Sequence, residues 1–310
     1  MSRSLPGTRL LRTFEAAARH LNFTRAAHEV GLTPAAVSYR IKEMEAQLGL
    51  TLFVRSSRSI ELTPAGRVLF EAAADALDNL QRATARARRM QRGEGHLRVS
   101  LGARFATHWL LPRLEGFRTA HPDLELTFDI SDQVRDFAVD DVDVAIRFGA
   151  GHYENTCAER LFDSVVVPVC SPRMLATERR LSEPRDLLGE MLCHVDCEVN
   201  GLVWPNWSMW MVAAGVDDFD ASRSVAFGDS SHVVQAVVDG NAIGLVELSM
   251  VARDLAEGRL VRLFDIGISL TPEYAYYLVY PQGMGADPRI CALREWMFEE
   301  IAGGGGARFS

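Results

Sequence analysis

Hydrogen-bonding and cationic side chains are concentrated near the N-terminus, between Asn22 and Thr63. The hydroxyls of Ser38 and Tyr39 can bond base edges or phosphate oxygens, and arginines can pair with phosphates or enter a minor groove. Small groups such as the Ala35 methyl can touch thymine methyls. The side chains with this potential are Thr24, Thr33, Pro34, Ala35, Ser38, Tyr39, Lys42, Arg55 and Arg58. Their chemistry indicates contact with a nucleic acid.

A short helix and a longer helix, joined by a tight turn, are predicted to position these side chains. Asn22 or Thr24 can cap the first helix, and Gly31 can take the left-handed conformation that ends it. Thr33 can cap the second helix, with Pro34 at its first position, where a missing N–H costs nothing. This order of cap, turn and cap is typical of a helix-turn-helix.

The second predicted helix has one buried face and ends at Gly49. Its apolar stripe recurs at steps of four, three and four residues and consists of Val37, Ile41, Met44 and Leu48. The opposite face is left to the polar and small side chains, and such a helix fits a major groove about 12 Å wide. A basic hairpin follows at 52–62. Together these segments predict a winged helix-turn-helix, the alternative being an ordinary helical hairpin.

The stretch FTRAAHEVGLTPAAVSYRIKEMEAQLGLTLFVRSSRSIELTPAG resembles the N-terminal domain of LysR-type transcriptional regulators. The shared features are the paired alanines, VS before a polar pair, LG after the second helix, LF at the wing and LTPAG leading out. The rest of the chain follows the family's plan, in the branch that resembles the glycine-cleavage activators. Many members carry Gln in place of Pro34 and Arg or His in place of Tyr39, so no operator sequence is carried over. The resemblance implies a regulator that binds double-stranded promoter or operator DNA.

Charge divides the chain into two parts. The first 92 residues contain 15 Lys plus Arg and 8 Asp plus Glu, whereas the remainder contains 18 and 33, and the whole chain has a net charge of -8. A phosphate backbone responds to the local sign of charge. The basic N-terminal part is therefore compatible with DNA binding despite the acidic whole.

A long helix is predicted from Pro64, with Thr63 as its cap, to about residue 92. Its apolar positions alternate at steps of four and three, as in a heptad seam, and are Leu69, Ala73, Ala76, Leu80, Ala83, Ala87 and Met90. At about 1.5 Å per residue the helix is roughly 40 Å long. The seam predicts a homodimer, and the alternative is an amphipathic helix packed on its own protein. The resemblance implies that this linker helix pairs two chains and that dimers pair into homotetramers.

Alternating strand and helix patterns after residue 93 predict a two-lobed α/β domain with parallel sheets. Helices are expected at 109–120, 134–139, 231–238 and 288–302, and the apolar run 161–170 is expected to cross between lobes. This domain resembles the family's effector-binding domain, which is similar to periplasmic binding proteins. The expected fold class is thus α plus α/β. The expected ranges are 1–63 for the winged helix-turn-helix, 64–92 for the linker, 93–302 for the effector domain (lobe I about 93–167 and 268–302, lobe II about 168–267) and 303–310 for a flexible tail.

Ligands in open α/β lobes bind at the carboxyl ends of strands, and the resemblance points to the same places. The candidate effector-binding residues are Arg104, Phe105, Thr107, Ser131, Asp132, Arg147, Phe227, Asp229 and Ser230. Arg104 or Arg147 can clamp a carboxylate, so the expected effector is a small carboxylate or an amino-acid-like compound. Many members have a small hydroxyl residue where Arg104 and Phe105 stand. Each candidate can instead be a helix cap or an ion-pair partner.

Other features predict no further chemistry. Cys193, His194 and Cys197 lack a fourth ligand at a zinc-like spacing, so no metal is expected. No GxSxG, Walker or HExxH pattern occurs, so no catalytic residue, cofactor or enzyme activity is expected. We expect the side chains of Trp204, Trp207 and Trp210 to pack in the core of the second lobe; the alternative is that they form the wall of a ligand pocket.

The sequence shows no signal peptide and no run of about 20 apolar residues. With five cysteines, an odd number, it predicts a cytoplasmic protein with free thiols and no membrane contact. A solute-binding protein is the alternative, but it would need an export signal. An architectural DNA-binder would not need a two-lobed sensor. The sequence therefore predicts a transcription regulator controlled by a small-molecule effector.

Overall fold

A computed structural model describes residues 5–55, 60–93, 95–176 and 181–303, without the side chains of Arg55, Arg86, Arg89 and Arg92. The chain divides into two units. The N-terminal unit ends at Gln91 and also includes Ala138–Asp140, and the C-terminal unit begins at Arg92 and includes the rest. Within the described residues, no helix is both long and apolar enough to cross a bilayer. The predicted tail lies outside these residues, apart from Gly303.

Three helices and a two-stranded hairpin form most of the N-terminal unit. They are α1 (Thr8–His20), α2 (Phe23–Val30), α3 (Pro34–Leu48), β1 (Phe53–Arg55) and β2 (Ile60–Leu62). Asn22, and not Thr24, caps α2, since its Oδ1 accepts hydrogen bonds from two main-chain N–H groups at 2.9 and 3.0 Å. Thr33 Oγ1 caps α3 at 3.2 Å. Gly31 and Gly49 follow the two helices at φ values of 67° and 68°, so the predicted ends of both helices are confirmed.

The apolar stripe of α3 forms the core of this unit. Val37, Ile41 and Met44 are completely buried. The ring of Phe14 from α1 meets the edge of Phe53 from β1 at 5.8 Å between centroids. Because the stripe is buried, the opposite face of α3 must point outward.

Helix α4 (Pro64–Arg92) is anchored to the hairpin through Thr63. Thr63 Oγ1 accepts a hydrogen bond from Gly66 N at 2.9 Å and donates one to Thr51 O at 2.7 Å. A Cβ on Gly66 would lie 2.2 Å from the carbonyl oxygen of Leu52. The LTPAG sequence therefore supplies a cap, a first-turn proline and a glycine that permits close backbone approach.

The predicted heptad seam of α4 has two parts. Ala73 is buried and Leu69 is half-buried in the core of the N-terminal unit. Leu80 and Met90 are 56% and 78% exposed. The first turns of α4 thus pack on their own chain, and the later turns carry an uncovered apolar stripe.

The C-terminal unit is an α/β structure. Its strands are β3 (His96–Leu101), β4 (Glu125–Ile130), β5 (Val144–Gly149), β6 (Thr156–Asp163), β7 (Val166–Cys170), β8 (Leu192–Val195), β9 (Glu198–Val199), β10 (Leu202–Val203), β11 (Ser224–Phe227), β12 (Ile243–Glu247), β13 (Val261–Arg262) and β14 (Ala275–Pro281). Its helices are α5 (Ala103–Phe105), α6 (Leu114–Ala120), α7 (Pro172–Leu175), α8 (Trp207–Ala213), α9 (Ser230–Val238), α10 (Ala252–Ala256) and α11 (Pro288–Gly303). A π-helical turn (Ala106–Leu110) and a 3₁₀ turn (Leu111–Arg113) join α5 to α6.

Two five-stranded sheets define two lobes. The sheet of lobe I has the order β4-β3-β5-β14-β6, and that of lobe II has the order β11-β8-β12-β7-β13. Because β6 and β7 are consecutive but belong to different sheets, the predicted crossing in the run 161–170 is confirmed. The sheets were expected to be parallel, but β14 runs antiparallel to both of its neighbours, as does β7. A chain that leaves one lobe and returns to it enters some strands in the opposite direction, which explains the mixed sheets.

The helix predicted at 134–139 is wrong, since only a turn is present there. The carbonyl of Gln133 accepts a hydrogen bond from Arg147 Nη2 at 2.8 Å, and the guanidinium of Arg135 pairs with Asp129 at 2.8 Å. These tertiary bonds hold the segment against the sheet in place of a helical ladder.

Candidate nucleic-acid interface and ligand pocket

The outward face of α3 carries four predicted contact residues on one surface. They are Ala35, Ser38, Tyr39 and Lys42. The last three follow Ala35 by three, four and seven residues, a spacing that places all four on one side of the helix. Tyr39 is 70% exposed, Ala35 and Lys42 are exposed, and Ser38 is half-buried. This recognition face presents hydroxyl groups, an ammonium group and a methyl group to the outside.

Residues around the turn complete this face. Thr24 and Pro34 are exposed, while the hydroxyl of Thr33 is used to cap α3. Arg40 is turned away from the recognition face, because its Nη1 donates to Thr13 Oγ1 of α1 at 3.2 Å.

The hairpin is fixed to α3 by the carboxylate of Glu45, which was not predicted to have a role. Glu45 Oε1 accepts hydrogen bonds from Leu52 N at 2.7 Å and Phe53 N at 3.2 Å. The side chain of Arg55 and the whole of Arg58 lie outside the described residues.

A pocket lies between the two lobes of the C-terminal unit. About 300 Å³ of empty space lies within it, a volume that includes open solvent. Lobe I contributes α5 and the turn after it, and lobe II contributes residues from β8, α9 and β12 and the segments next to them. The lining residues are Arg104, His108, Val195, Trp204, Ser230, Val234, Leu245, Val246, Glu247, Met250 and Val251.

The guanidinium of Arg104 bridges the lobes inside this pocket. Its Nη1 lies 3.7 Å from Glu247 Oε2, and its Cζ lies 4.1 Å from the ring centroid of Trp204. Its Nη2 contacts Cys197 Sγ at 3.7 Å. Burial alone would lower the pKa of Arg104, but the nearby Tyr276, Glu247 and Cys197 raise it on balance. Arg104 therefore stays cationic.

Glu247 is the buried carboxyl group of the pocket, with a side chain only 3% exposed. Its Oε2 accepts a hydrogen bond from Tyr276 OH at 3.2 Å, and its Oε1 has no described partner within hydrogen-bond distance. Burial raises the pKa of this carboxyl, and the charge of Arg104 opposes that shift. The nearby hydroxyls of Ser164 and Ser249 also act to lower the pKa of the carboxyl group. Glu247 was not predicted from the sequence, although it lies at the carboxyl end of β12, where ligands of open α/β lobes are expected to bind.

His108 lines the same pocket as Arg104 and Glu247, next to the N-terminus of α9. Its Nε2 lies 3.4 Å from Ser231 Oγ, and burial lowers the pKa of the imidazole, which favours its neutral form. His108 was not among the predicted effector residues.

Of the predicted effector residues, the structure brings Arg104 and Ser230 to this pocket. Phe105 is 1% exposed and stacks on Trp109 at 4.9 Å in the core of lobe I, while Thr107 is exposed. Successive residues of one helical turn point about 100° apart, so Arg104 and Phe105 cannot both face the cleft.

Arg147 is bonded within lobe I. Its Nη2 donates to Ser100 Oγ at 2.6 Å and to Gln133 O at 2.8 Å. Burial lowers the pKa of Arg147. Ser131 makes a local bond to Gln133 N at 3.2 Å, and Asp132 is exposed. These residues do not line the pocket.

The remaining candidates have structural partners. Asp229 Oδ1 caps α9 by accepting from Ser231 N at 2.7 Å, and Phe227 packs against the core of lobe II. Trp207 and Trp210 are fully buried in that core, as the packing alternative predicted. Trp204 lines the pocket, as the other alternative predicted. Among the described residues, no group of three or more His, Cys, Asp or Glu is placed to hold a metal.

Known proteins resemble this chain along its length. Residues 8–67 match the family "Bacterial regulatory helix-turn-helix protein, lysR family", and residues 90–302 match "LysR substrate binding domain". The glycine cleavage system transcriptional activator of Escherichia coli is 37% identical over 303 residues, covering 97% of this chain and 96% of that protein. The HTH-type transcriptional activator AmpR of Pseudomonas aeruginosa is 35% identical over 298 residues, covering 94% and 95%.

Two solved structures are also similar. The effector domain of AmpR from Pseudomonas aeruginosa aligns with a TM-score of 0.50 at 31% identity, covering 67% of this chain and 96% of that one. CrgA from Neisseria meningitidis, a LysR-type transcriptional regulator, aligns with a TM-score of 0.51 at 23% identity, covering 96% and 99%, which is a likeness of fold. The chain has the same two domains as these regulators, in the same order. The chain therefore belongs to the LysR family of transcriptional regulators, with an N-terminal helix-turn-helix for DNA and a C-terminal domain for an effector.

Proposed function

We propose that the recognition face of α3 reads operator DNA from the major groove. Ser38 and Tyr39 are placed to bond base edges or phosphates, Ala35 to meet a thymine methyl, and Lys42 to neutralise a phosphate. Arg55 and Arg58 of the wing are proposed to hold the backbone or the minor groove. The observation that carries this proposal is the outward surface of α3, which the buried stripe on its other side enforces.

The later turns of α4 are proposed to pair two chains. Leu80 and Met90 expose apolar surface along one line of the helix, and a partner helix would remove that surface from water. Pairing presents two recognition faces to a dyad, because operator symmetry mirrors protein symmetry. Dimers are further proposed to associate into tetramers.

The proposed effector site is the pocket between the lobes, and the proposed effector is a small carboxylate or amino-acid-like molecule held by Arg104. Arg104 and Tyr276 of lobe I both contact Glu247 of lobe II. A ligand that takes Arg104 as its partner would alter these bonds between the lobes. Lobe closure, and through it the arrangement of subunits on DNA, would then change with a coupling of about 1–3 kcal/mol.

In vitro selection from a randomised duplex library tests the DNA-reading proposal. Wild-type protein should enrich an interrupted dyad, and Ser38→Ala should enrich it less or tolerate changes within each half-site. Enrichment of no common sequence, or identical selection by both proteins, would refute the assignment of the recognition face.

A further inference from the structure

We propose that the interlobe pocket binds the zwitterionic group of an α-amino acid with a small side chain. Arg104 contacts the ligand carboxylate, and Glu247 accepts hydrogen bonds from the ligand ammonium. This inference rests on the proposed function, in which the same pocket is the effector site, and it selects one ligand class for it.

Two opposite charges face the pocket without saturating each other. The closest approach of Arg104 to Glu247 is 3.7 Å, which is longer than the 2.7–3.2 Å of a hydrogen bond. Glu247 Oε1 is enclosed and accepts no hydrogen bond from the described residues. A buried carboxylate oxygen with unused acceptor capacity in a ligand pocket favours an occupant that brings a donor.

The balance of charge distinguishes the ligand classes. A simple carboxylate would draw Arg104 into a new pair, and Glu247 would then either stay charged without a partner or take up a proton, each of which weakens binding. A simple amine would pair with Glu247 and leave the buried guanidinium of Arg104 without a counter-charge. A zwitterion exchanges one internal ion pair for two pairs with the ligand, so each buried charge keeps a partner. The imidazole of His108 adds little charge, because burial favours its neutral form.

The walls limit the size of the side chain. Trp204 supports the guanidinium of Arg104 at 4.1 Å on one side. Leu245, Val246 and Val251 form apolar lining. Because the empty space of about 300 Å³ includes open solvent, the enclosed part beside the charged groups leaves room for no more than a short side chain.

Calorimetric titration of the full-length wild-type protein with L- and D-α-amino acids tests this inference. L-Alanine has two matched analogues, propanoate without the ammonium group and ethylamine without the carboxylate. At least one small α-amino acid should bind, and its two matched analogues should bind at least about a hundredfold more weakly, since each leaves a buried charge unpaired. Binding of propanoate as tight as that of alanine, or no binding by any small α-amino acid, would overturn the inference.

Glu247→Gln provides an independent readout. It preserves side-chain size but removes the charge, so it should abolish the preference for the amino acid over its deaminated analogue. Glu154→Gln, an exposed acidic position, is the matched control and should keep that preference. Circular dichroism checks that the variants fold. If Glu247→Gln does not fold, the analogue series on the wild-type protein still tests whether the ligand needs both charges.

A separate titration of operator DNA distinguishes this inference from the proposed function. If propanoate changes operator affinity through Arg104 and amino acids do not, the effector site stands and the zwitterion assignment falls. If amino acids and carboxylates both leave operator affinity unchanged, the pocket is not the effector site and the proposed function fails as well.

Discussion

Lys42 is the single lysine of the chain, and it lies exposed on the recognition face of α3. Its charge is therefore placed to contact a phosphate, a contact that positions the protein but does not read sequence. The buried stripe on the other side of the helix was predicted from its spacing alone. The contacts of Glu45 with the hairpin were not predicted, because they depend on how the chain returns to α3.

Replacing Lys42 should weaken DNA binding in a salt-dependent way. Lys42→Ala should reduce the slope of log affinity against log salt by about one and weaken binding to all sequences similarly. Fluorescence anisotropy over a salt series measures both effects. Arg118→Ala removes an exposed cation from the C-terminal unit and serves as the charge-matched control. An unchanged slope in Lys42→Ala would place this side chain away from the phosphates.

Two histidines of the C-terminal unit should make its stability depend on pH. Burial lowers the pKa of His108 and His194, and His194 Nδ1 is enclosed without a hydrogen-bond partner among the described residues. In the unfolded chain a histidine binds its proton near pH 6.5, above the folded pKa. The free energy of unfolding should therefore fall as pH decreases below about 6.5.

Urea denaturation at pH 7.5 and 5.5 measures this loss. His194→Gln should lose less stability between the two pH values than the wild-type protein does. His152→Gln, at an exposed position, should lose as much as the wild-type protein. Equal losses in all three proteins would show that His194 does not contribute.

At the scale of elements, local signals determine α2, α3 and α4. Each has a side-chain cap immediately before it, and α3 and α4 begin with proline, so neighbouring residues were enough to predict their starts. The segment 134–139 has no such signal. Its turn depends on Arg147, which belongs to another strand, so the false helix prediction reflects a tertiary bond that local patterns do not contain.

Gly66 tests the junction between α4 and the hairpin. Gly66→Ala should destabilise the N-terminal unit by about 1–3 kcal/mol, because the new Cβ would overlap the Leu52 carbonyl. The control is Gly116→Ala on α6, where a Cβ would have no neighbour closer than 3.8 Å. That change should be neutral or stabilising by up to about 1 kcal/mol. Thermal unfolding of both variants measures the difference, and equal effects would contradict the close approach.

Leu80 tests the pairing role of α4. Leu80→Lys places a charge in the exposed apolar stripe and should raise the dimer dissociation constant at least about tenfold, the equivalent of 1.4 kcal/mol. Asn79→Lys adds the same charge at an exposed position beside the seam and should leave the constant nearly unchanged. Sedimentation equilibrium compares the two proteins. If both variants remain equally dimeric, the dimer uses another surface.

At the scale of the whole molecule, the sequence predicted the number of domains, their order and the two-lobed form, because caps, heptads and alternating strands repeat along the chain. The domain limits at 63, 92 and 302 stay predictions. The pocket was only partly predicted. Arg104 follows a strand and was identified, whereas Glu247 and Tyr276 come from distant parts of the chain and meet it only in the folded lobes.

Two recognition faces, paired through α4, are proposed to read one operator. DNase I footprinting of the wild-type protein on DNA upstream of its own gene, with Leu80→Lys in parallel, measures whether they do. The wild-type protein should protect an interrupted dyad whose half-site centres are separated by whole helical turns of about 10.5 base pairs, and Leu80→Lys should protect it only at higher concentration. Protection of a single half-site, or equal protection by both proteins, would contradict the claim.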